Sequence, residues 1–353
     1  MSSSEQVAQI IDKISGSMQM TKRRLRRASY RNCLDDERKA FIQKITNREA
    51  LDGVDDFVTR RKKALMHDSR ITEEYYESSD GLRLFYRSFY YRSAIEADPV
   101  ICLPGLTRNS RDFDDLALLL SKRRRVITTD LRGRGRSEHD PDRTNYQPAQ
   151  YVADIWDLLD HLDVSRVLVI GTSLGGWMAM IMANERPAVI AGAVMNDIGP
   201  ELDPAGVARV QASAGLLPPV ADWDEAVLQV KQHYELAYPD WPDSKWLSFA
   251  QRTYSQSGND DLNINLDPNV GVASREGKSG LQQDPWQLFD ALLNIPLLVL
   301  RGERSDILSN ETLEKMQLRK PDLTAVIVRN RGHAPYLDEP EAIDAIERFL
   351  DEN

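Results

Sequence analysis

The stretch VLVIGTSLGGW, residues 167–177, places one serine between an apolar segment and a helical one. A nucleophile must project from its backbone with nothing in front of it, and a tight strand-to-helix turn achieves this. Such a turn brings neighbouring backbones close together, so only small residues fit two positions before and after the nucleophile. Gly171 and Gly175 occupy those positions. The pattern G-x-S-x-G at this joint therefore predicts that Ser173 is a nucleophile.

A serine nucleophile needs a base that accepts its proton, and that base needs an orienting acid. The chain offers five histidines: His67, His139, His161, His233 and His333. His333 follows the last predicted strand, at the carboxyl end of the sheet, where the sites of open α/β sheets lie. We therefore predict that His333 is the base.

Two aspartates satisfy the requirement for the acid, because each follows a predicted strand and precedes His333. Asp306 lies just beyond the strand at 295–303, and Asp197 ends the strand at 190–197. Either carboxylate could reach a histidine from its strand end, so this pattern alone leaves both open.

An attacked carbonyl also needs hydrogen-bond donors for its developing oxyanion. One donor should be the backbone N–H of the residue after the serine, which is Leu174. The other should come from the loop LPGLTRNS, residues 103–110, where Gly105 lets the chain turn. Leu106 N–H is the predicted second donor.

The surrounding pattern alternates between strands and helices. ITEEYYESSDGLRLFYRSFY, residues 71–90, predicts a hairpin around Asp80-Gly81. Near-continuous apolar runs then predict strands at 99–105, 124–133, 165–173, 190–197, 295–303 and 323–330. Helical patterns between them cover 111–122, 149–163, 174–186 and 339–351. This repetition predicts a mostly parallel sheet with helices on both faces.

Residues 200–287 interrupt that rhythm with helical patterns and no convincing strand. We predict a helical cap here, inserted into a core formed by residues 71–199 and 288–353. Its aromatic residues favour either an apolar lid or the packed core of the cap: Trp223, Tyr234, Tyr238, Trp241 and Trp246.

Residues 1–70 form a predicted helical extension with 16 Lys and Arg against 10 Asp and Glu. Its basic clusters, 22–27 and 60–63, are typical of solvated helix faces. Docking on an acidic protein surface or on anionic lipid is the alternative interpretation.

Composition bounds the class of protein. Of 353 residues, 41% are hydrophobic and 28% are charged, as in ordinary globular proteins, and the net charge is −10. Outside the extension the chain is acidic, which argues against a nucleic-acid partner. No apolar run reaches the ~18 residues of a membrane helix, and the start lacks the pattern of a secretory signal. Two cysteines, Cys33 and Cys102, fit neither a disulfide framework nor a cysteine zinc site. We expect a cytoplasmic protein.

From about residue 71 onwards the chain resembles α/β-hydrolase-fold enzymes of the capped esterase and lactonase type. The matching motifs, in order, are LPGLTRNS, DLRGRGRS (130–137), GTSLGGW, RGERSDIL and RGHAPYLDEP. The resemblance implies the fold described above and the triad Ser173, Asp306 and His333, since the order Ser…Asp…His favours Asp306 over Asp197. It also implies the oxyanion pair Leu106 and Leu174, and no metal or organic cofactor.

The resemblance further implies that DLRGRGRS is a structural turn, so Asp130 and Arg132 receive no catalytic role. One departure is Pro104-Gly105, where many relatives have His-Gly. Arg108 and Asn109 follow this loop, where they could meet a polar substrate group or lie on the surface. Because position 173 is serine and not aspartate, alkyl-enzyme chemistry is excluded and acyl transfer is favoured.

The expected activity is hydrolysis of a small-molecule ester or lactone through an acyl-enzyme. Two alternatives remain. Relatives with the same triad hydrolyse a carbon–carbon bond in a vinylogous diketone, and a hydrolase-derived receptor would turn its ligand over slowly. Neither the physiological substrate nor the oligomeric state follows from the sequence.

Overall fold

The computed structural model describes residues 69–91, 97–256, 261–276 and 284–353. The helices and basic clusters predicted for residues 1–70 lie outside the described residues. Only Ser69 and Arg70 of this range are described, and they begin the first strand.

The strands and helices, numbered along the chain, alternate through most of the described region. The strands are β1 (Ser69–Glu77), β2 (Arg83–Tyr91), β3 (Val100–Leu103), β4 (Val126–Asp130), β5 (Val167–Thr172), β6 (Ile190–Asn196), β7 (Tyr254–Gln256), β8 (Leu262–Ile264), β9 (Leu297–Gly302) and β10 (Thr324–Val328). The helices are α1 (Asp114–Leu120), α2 (Pro148–His161), α3 (Leu174–Glu185), α4 (Pro204–Ser213), α5 (Trp223–Tyr234), α6 (Asp243–Thr253), α7 (Pro268–Arg275), α8 (Pro285–Asp290), α9 (Asn310–Arg319) and α10 (Pro340–Glu352).

Eight of the strands in the described part of the chain form one sheet, in the order β1-β2-β4-β3-β5-β6-β9-β10. β1 and β2 pair antiparallel around Asp80-Gly81, as predicted, and Gly81 adopts φ +85° in the turn. β2 also pairs antiparallel with β4, whereas all pairs from β4 to β10 are parallel. The predicted α/β-hydrolase fold with its mostly parallel sheet is confirmed, and all six strands predicted from apolar runs are present.

Helices cover both faces of this sheet, and the side chains of each strand alternate between them. In β5, Val167 and Val169 pack on one face with α2 and α3. Leu168 and Ile170 pack on the other face with α1 and α10. Because both faces are buried, the strands need apolar residues at every position, which explains their continuous apolar runs.

The chain between β6 and β9, called the inserted segment below, forms helices α4 to α8. The structure adds the short antiparallel pair β7–β8, which the sequence analysis did not predict. Strands of three residues are too short to show an alternating pattern. α9 was also not predicted; the Ser309 side chain caps it by accepting a hydrogen bond from Thr312 N–H. No helix within the described residues is long and apolar enough to cross a membrane.

Candidate active site

The backbone at Ser173 makes the tight turn that the glycine spacing predicts. Ser173 lies between β5 and α3 with φ 52° and ψ −113°, a conformation that is strained for any residue with a side chain. A Cβ at Gly175 would lie 2.1 Å from Leu103 O, and one at Gly171 would lie 2.3 Å from the Gly175 backbone. Both glycines are therefore required by close backbone packing.

His333 lies against the serine, as predicted. Its Nε2 is 2.9 Å from Ser173 Oγ, and the histidine side chain is only 7% exposed. The loop that carries it is held on two sides. Asn196 Nδ2 donates to Pro335 O at 2.8 Å, and the Tyr238 hydroxyl of the inserted segment donates to Ala334 O at 2.8 Å.

The carboxylate on the other side of the imidazole belongs to Asp197. Its Oδ2 is 2.8 Å from His333 Nδ1, and the side chain is fully buried. Gly302 N–H donates to Oδ1 at 2.8 Å, and the Ser305 hydroxyl donates to Oδ2 at 2.7 Å. A carboxylate held by three donors favours the tautomer with the proton on Nδ1, which leaves Nε2 to accept the proton of Ser173.

The prediction that Asp306 contacts the histidine is wrong in this structure. The Asp306 carboxylate forms two hydrogen bonds with the Arg209 guanidinium of α4, at 2.6 and 2.8 Å. Burial raises the pKa of Asp306, but the hydrogen bonds and charge of Arg209 outweigh burial and hold this pKa below its usual value. Both aspartates follow neighbouring strands, β6 and β9. Arg209 of α4 pairs with only one of them, Asp306.

The predicted oxyanion donors, Leu106 and Leu174, both line the space beside Ser173. No group in the described part of the chain accepts a hydrogen bond from either backbone N–H. Arg134 Nε donates to Leu106 O at 3.0 Å and so holds the loop after β3 in place. Leu174 N–H begins α3, where the helix dipole favours negative charge.

Arg134 is the residue that the sequence analysis missed. It belongs to DLRGRGRS, which the structure shows to be a buried turn: Asp130 accepts hydrogen bonds from Ser110 N–H at 2.7 Å and Arg136 N–H at 2.8 Å. Arg132 pairs with two buried carboxylates and one exposed carboxylate. The motif marks the turn, but no spacing in it indicates which arginine reaches the loop after β3.

Arg108 and Asn109 are buried, and each side chain is hydrogen-bonded to other groups of the protein. Arg108 is buried, pairs with Asp112, and donates from Nη1 to Thr253 Oγ1 at 2.7 Å. Asn109 Nδ2 donates to Arg252 O at 2.9 Å. Both side chains therefore join the loop after β3 to the C-terminal end of α6.

Two cavities meet at Ser173. The small cavity, about 100 Å³, and the large cavity, about 540 Å³, share the lining residues Leu106, Ser173, Val210 and His333. The aromatic residues of the inserted segment divide between two roles. Trp246 and Trp241 pack inside that segment, with Tyr238 stacked on Trp241 at 3.8 Å. Tyr234 and Tyr238 also line the small cavity.

The other described histidines lie away from the serine. His161 packs against Tyr76 and Tyr86, and His139 lies 3.6 Å from Asp267 on an exposed turn. His233 lines the small cavity, and its Nδ1–H donates to Gln229 O at 2.9 Å. Among the residues that the structure describes, no three His, Cys, Asp or Glu side chains converge as metal ligands would.

Comparison with known families agrees with this fold. The family model of the alpha/beta hydrolase fold matches residues 98–340. The chain belongs to the α/β hydrolase family, and hydrolase activity is the coarse function that this membership supports.

Two curated proteins and one solved structure are similar to this chain over most of its length. The 3-hydroxybutyrate-oligomer hydrolase of Cupriavidus necator is 32% identical over 274 residues, which cover 75% of this chain and 93% of that protein. The 2-(acetamidomethylene)succinate hydrolase of Mesorhizobium japonicum is 29% identical over 255 residues, covering 70% of this chain and 86% of that protein. The crystal structure of an α/β hydrolase from Novosphingobium aromaticivorans superposes with a TM-score of 0.75 and 42% identity, covering 80% of this chain and 99% of that one.

Proposed function

We propose that this protein is a serine hydrolase that cleaves a carboxylic ester or lactone through an acyl-enzyme. The observation that carries the proposal is the position of the His333 imidazole, 2.9 Å from Ser173 Oγ and 2.8 Å from Asp197 Oδ2. Asp197, not Asp306, is the acid of the proposed triad. The two backbone N–H groups of Leu106 and Leu174 are the proposed oxyanion donors.

The reaction runs in two halves. Ser173 Oγ attacks the carbonyl carbon while its proton moves to His333 Nε2, and the carbonyl oxygen becomes an oxyanion held by the two N–H groups. The bond to the leaving oxygen then breaks, and His333 returns its proton to that oxygen, which departs as an alcohol. Water attacks the acyl-enzyme with His333 again as base, releasing the acid and restoring the Ser173 hydroxyl. One oxyanion donor typically contributes ~3 kcal/mol to such a step.

The proposal that the substrate is an ester is supported by the substrate for which one relative is named. An oligomer of 3-hydroxybutyrate contains ester bonds, and the Cupriavidus necator hydrolase named for it covers most of this chain. The second relative is named for a substrate of another kind, so the tested panel includes substrates other than esters. A receptor would bind these compounds but turn each over about once per molecule.

Turnover of a substrate panel, compared between the unaltered protein and Ser173→Ala, distinguishes an enzyme from a receptor and tests the nucleophile. The unaltered protein should hydrolyse short esters or lactones over many turnovers and react with a fluorophosphonate probe. Ser173→Ala should lose both, with kcat lower by on the order of 10⁶, while circular dichroism shows an unchanged fold. Ser248→Ala is the control, since Ser248 is exposed on α6 and lines neither cavity. Fluorophosphonate labelling that persists in Ser173→Ala would refute the proposed nucleophile. Multiple turnover of a vinylogous diketone but of no ester or lactone would replace the proposed substrate class.

A further inference from the structure

The two cavities that meet at Ser173 differ in size. The large cavity has a volume of about 540 Å³, within the range of sites for organic ligands. The small cavity has a volume of about 100 Å³ and shares five lining residues with a further space of about 30 Å³. Since an apolar cavity of roughly 150 Å³ binds benzene, the small cavity holds about four non-hydrogen atoms.

The linings differ in chemistry as well as in size. The large cavity is lined mainly by apolar side chains, among them Trp177, Ile198, Leu202, Val207 and Ile307. Its inserted-segment wall continues through Ala273 of α7. An apolar substrate chain placed there would be removed from water without covering a charged side chain of the lining. The hydrophobic effect therefore favours binding of such a chain.

The small cavity presents hydrogen-bonding groups. Its lining combines hydrogen-bonding side chains, among them Thr107, Ser213, His233 and Tyr234, with apolar ones such as Phe249. His233 Nδ1–H is engaged with Gln229 O, so Nε2 is the ring nitrogen available to a ligand. The guanidinium groups of the lining residues Arg108 and Arg209 are paired with Asp112 and Asp306, so the charges on this side are balanced.

From this asymmetry we propose a substrate class: an ester with one long apolar side, held in the large cavity, and one small side, held in the small cavity. The inference rests on the proposed function, because both cavities are defined relative to the attacking Ser173. An ester cannot turn around in this site. Its carbonyl oxygen must face the Leu106 and Leu174 N–H groups, and its leaving oxygen must face His333 Nε2. The long side is therefore always the acyl group or always the alcohol.

Two isomeric esters test this directly. Methyl hexanoate and pentyl acetate have the same formula, similar polarity and similar intrinsic reactivity, but they carry the five-carbon chain on opposite sides of the carbonyl. We expect kcat/KM for the two isomers to differ at least tenfold, because each methylene buried in the large cavity contributes roughly fourfold. Pentyl hexanoate, which is long on both sides, should react no faster than the poorer isomer.

A cavity-filling variant assigns the preference to the large cavity. Ala273→Phe should reduce the ratio of kcat/KM between the preferred and the poorer isomer by roughly tenfold. Asn269→Phe is the matched control on the same helix, because Asn269 is exposed and lines neither cavity. Leu202→Phe is a second filling variant, used if Ala273→Phe does not fold.

The outcomes distinguish the inference from the proposed function. If no ester is hydrolysed in a Ser173-dependent way, the proposed function is wrong and the substrate inference fails with it. If esters are hydrolysed but the isomers differ by less than threefold, or pentyl hexanoate matches the preferred isomer, the asymmetry is wrong and the proposed function stands. A preference that is the same in Ala273→Phe and Asn269→Phe overturns the assignment to the large cavity.

Discussion

Two residues of the site, Ser173 and Asp197, share an unusual backbone conformation. Their φ angles are +52° and +59°, and each residue directly follows a strand, β5 or β6. A non-glycine residue in such a conformation costs on the order of 1–3 kcal/mol, which the surrounding structure must offset. Here Asn196 O accepts from Ser173 N–H at 3.0 Å, and Leu300 O accepts from Asp197 N–H at 2.7 Å. These bonds hold both side chains above the strand ends.

The identity of the acid gives a prediction at this scale. Asp197→Asn should lower kcat on a reactive ester by about 10⁴, because an amide cannot hold the proton of His333 on Nδ1 as a carboxylate does. Asp306→Asn should lower kcat less than tenfold, since the Asp306 carboxylate is engaged with Arg209. Steady-state kinetics with active-site titration measures both. A larger loss in Asp306→Asn would return the acid to the residue that chain order favours.

At the scale of elements, the turn after β4 is anchored by a buried arginine. Arg132 is fully buried and contacts three carboxylates, with Nη1 2.9 Å from Asp80 Oδ2, Nε 2.7 Å from Asp154 Oδ2, and a further contact to Asp140. These links join the β1–β2 turn, the turn after β4 and α2. Removal of the guanidinium would leave buried carboxylates without a counter-charge.

Arg132→Met should therefore lower the free energy of unfolding by about 3–5 kcal/mol. Arg143→Met is the matched control, because Arg143 forms an exposed pair with Glu276 at 2.9 Å and its loss should cost about 1 kcal/mol or less. Urea denaturation measures both values. Equal destabilisation of the two variants would show that the buried cluster does not anchor the turn.

The pair between α4 and the loop after β9 gives a prediction about pH. The pKa of Asp306 is below its usual value, so the contribution of the pair is present above about pH 4, the ordinary range of an aspartate, and is lost as pH falls through the folded-state pKa. Asp306→Asn should melt on the order of 1–2 °C below the unaltered protein at pH 7. This difference should shrink towards pH 3. A difference that stays constant over this range would contradict the assignment.

For the whole molecule, the described residues contain the eight-stranded sheet and the candidate site. The family match begins at residue 98, and β1 begins at Ser69. We therefore expect a chain that starts at Val58 to fold and to keep its kcat on a small ester. Without the basic residues before it, its solubility, oligomeric state or handling of bulky substrates should change. Circular dichroism, light scattering and kinetics measure these properties. A soluble, monodisperse but inactive product would place part of the site in residues 1–57.

Local sequence was sufficient to predict the strands of the sheet, the tight turn at Ser173 and the position of His333 after the last strand. Continuous apolar runs predict buried parallel strands wherever helices cover both faces, and Gly171 and Gly175 are needed wherever a serine turn packs against backbone. His333 follows from its place after the last strand. These features depend on residues close together in the chain, so a single sequence carries them.

Long-range contacts decided the rest. Asp197 and Asp306 follow the adjacent strands β6 and β9, and the resemblance favoured Asp306 as the acid. Tertiary packing instead brings Arg209 to Asp306 and leaves Asp197 to His333. Arg134 supports Leu106 across 28 positions of the chain, a pairing that no spacing reveals. The sizes of the two cavities likewise depend on how the inserted helices pack over Ser173. A sequence predicts which groups can reach a site, but competition among partners brought together by folding determines which of them bind there.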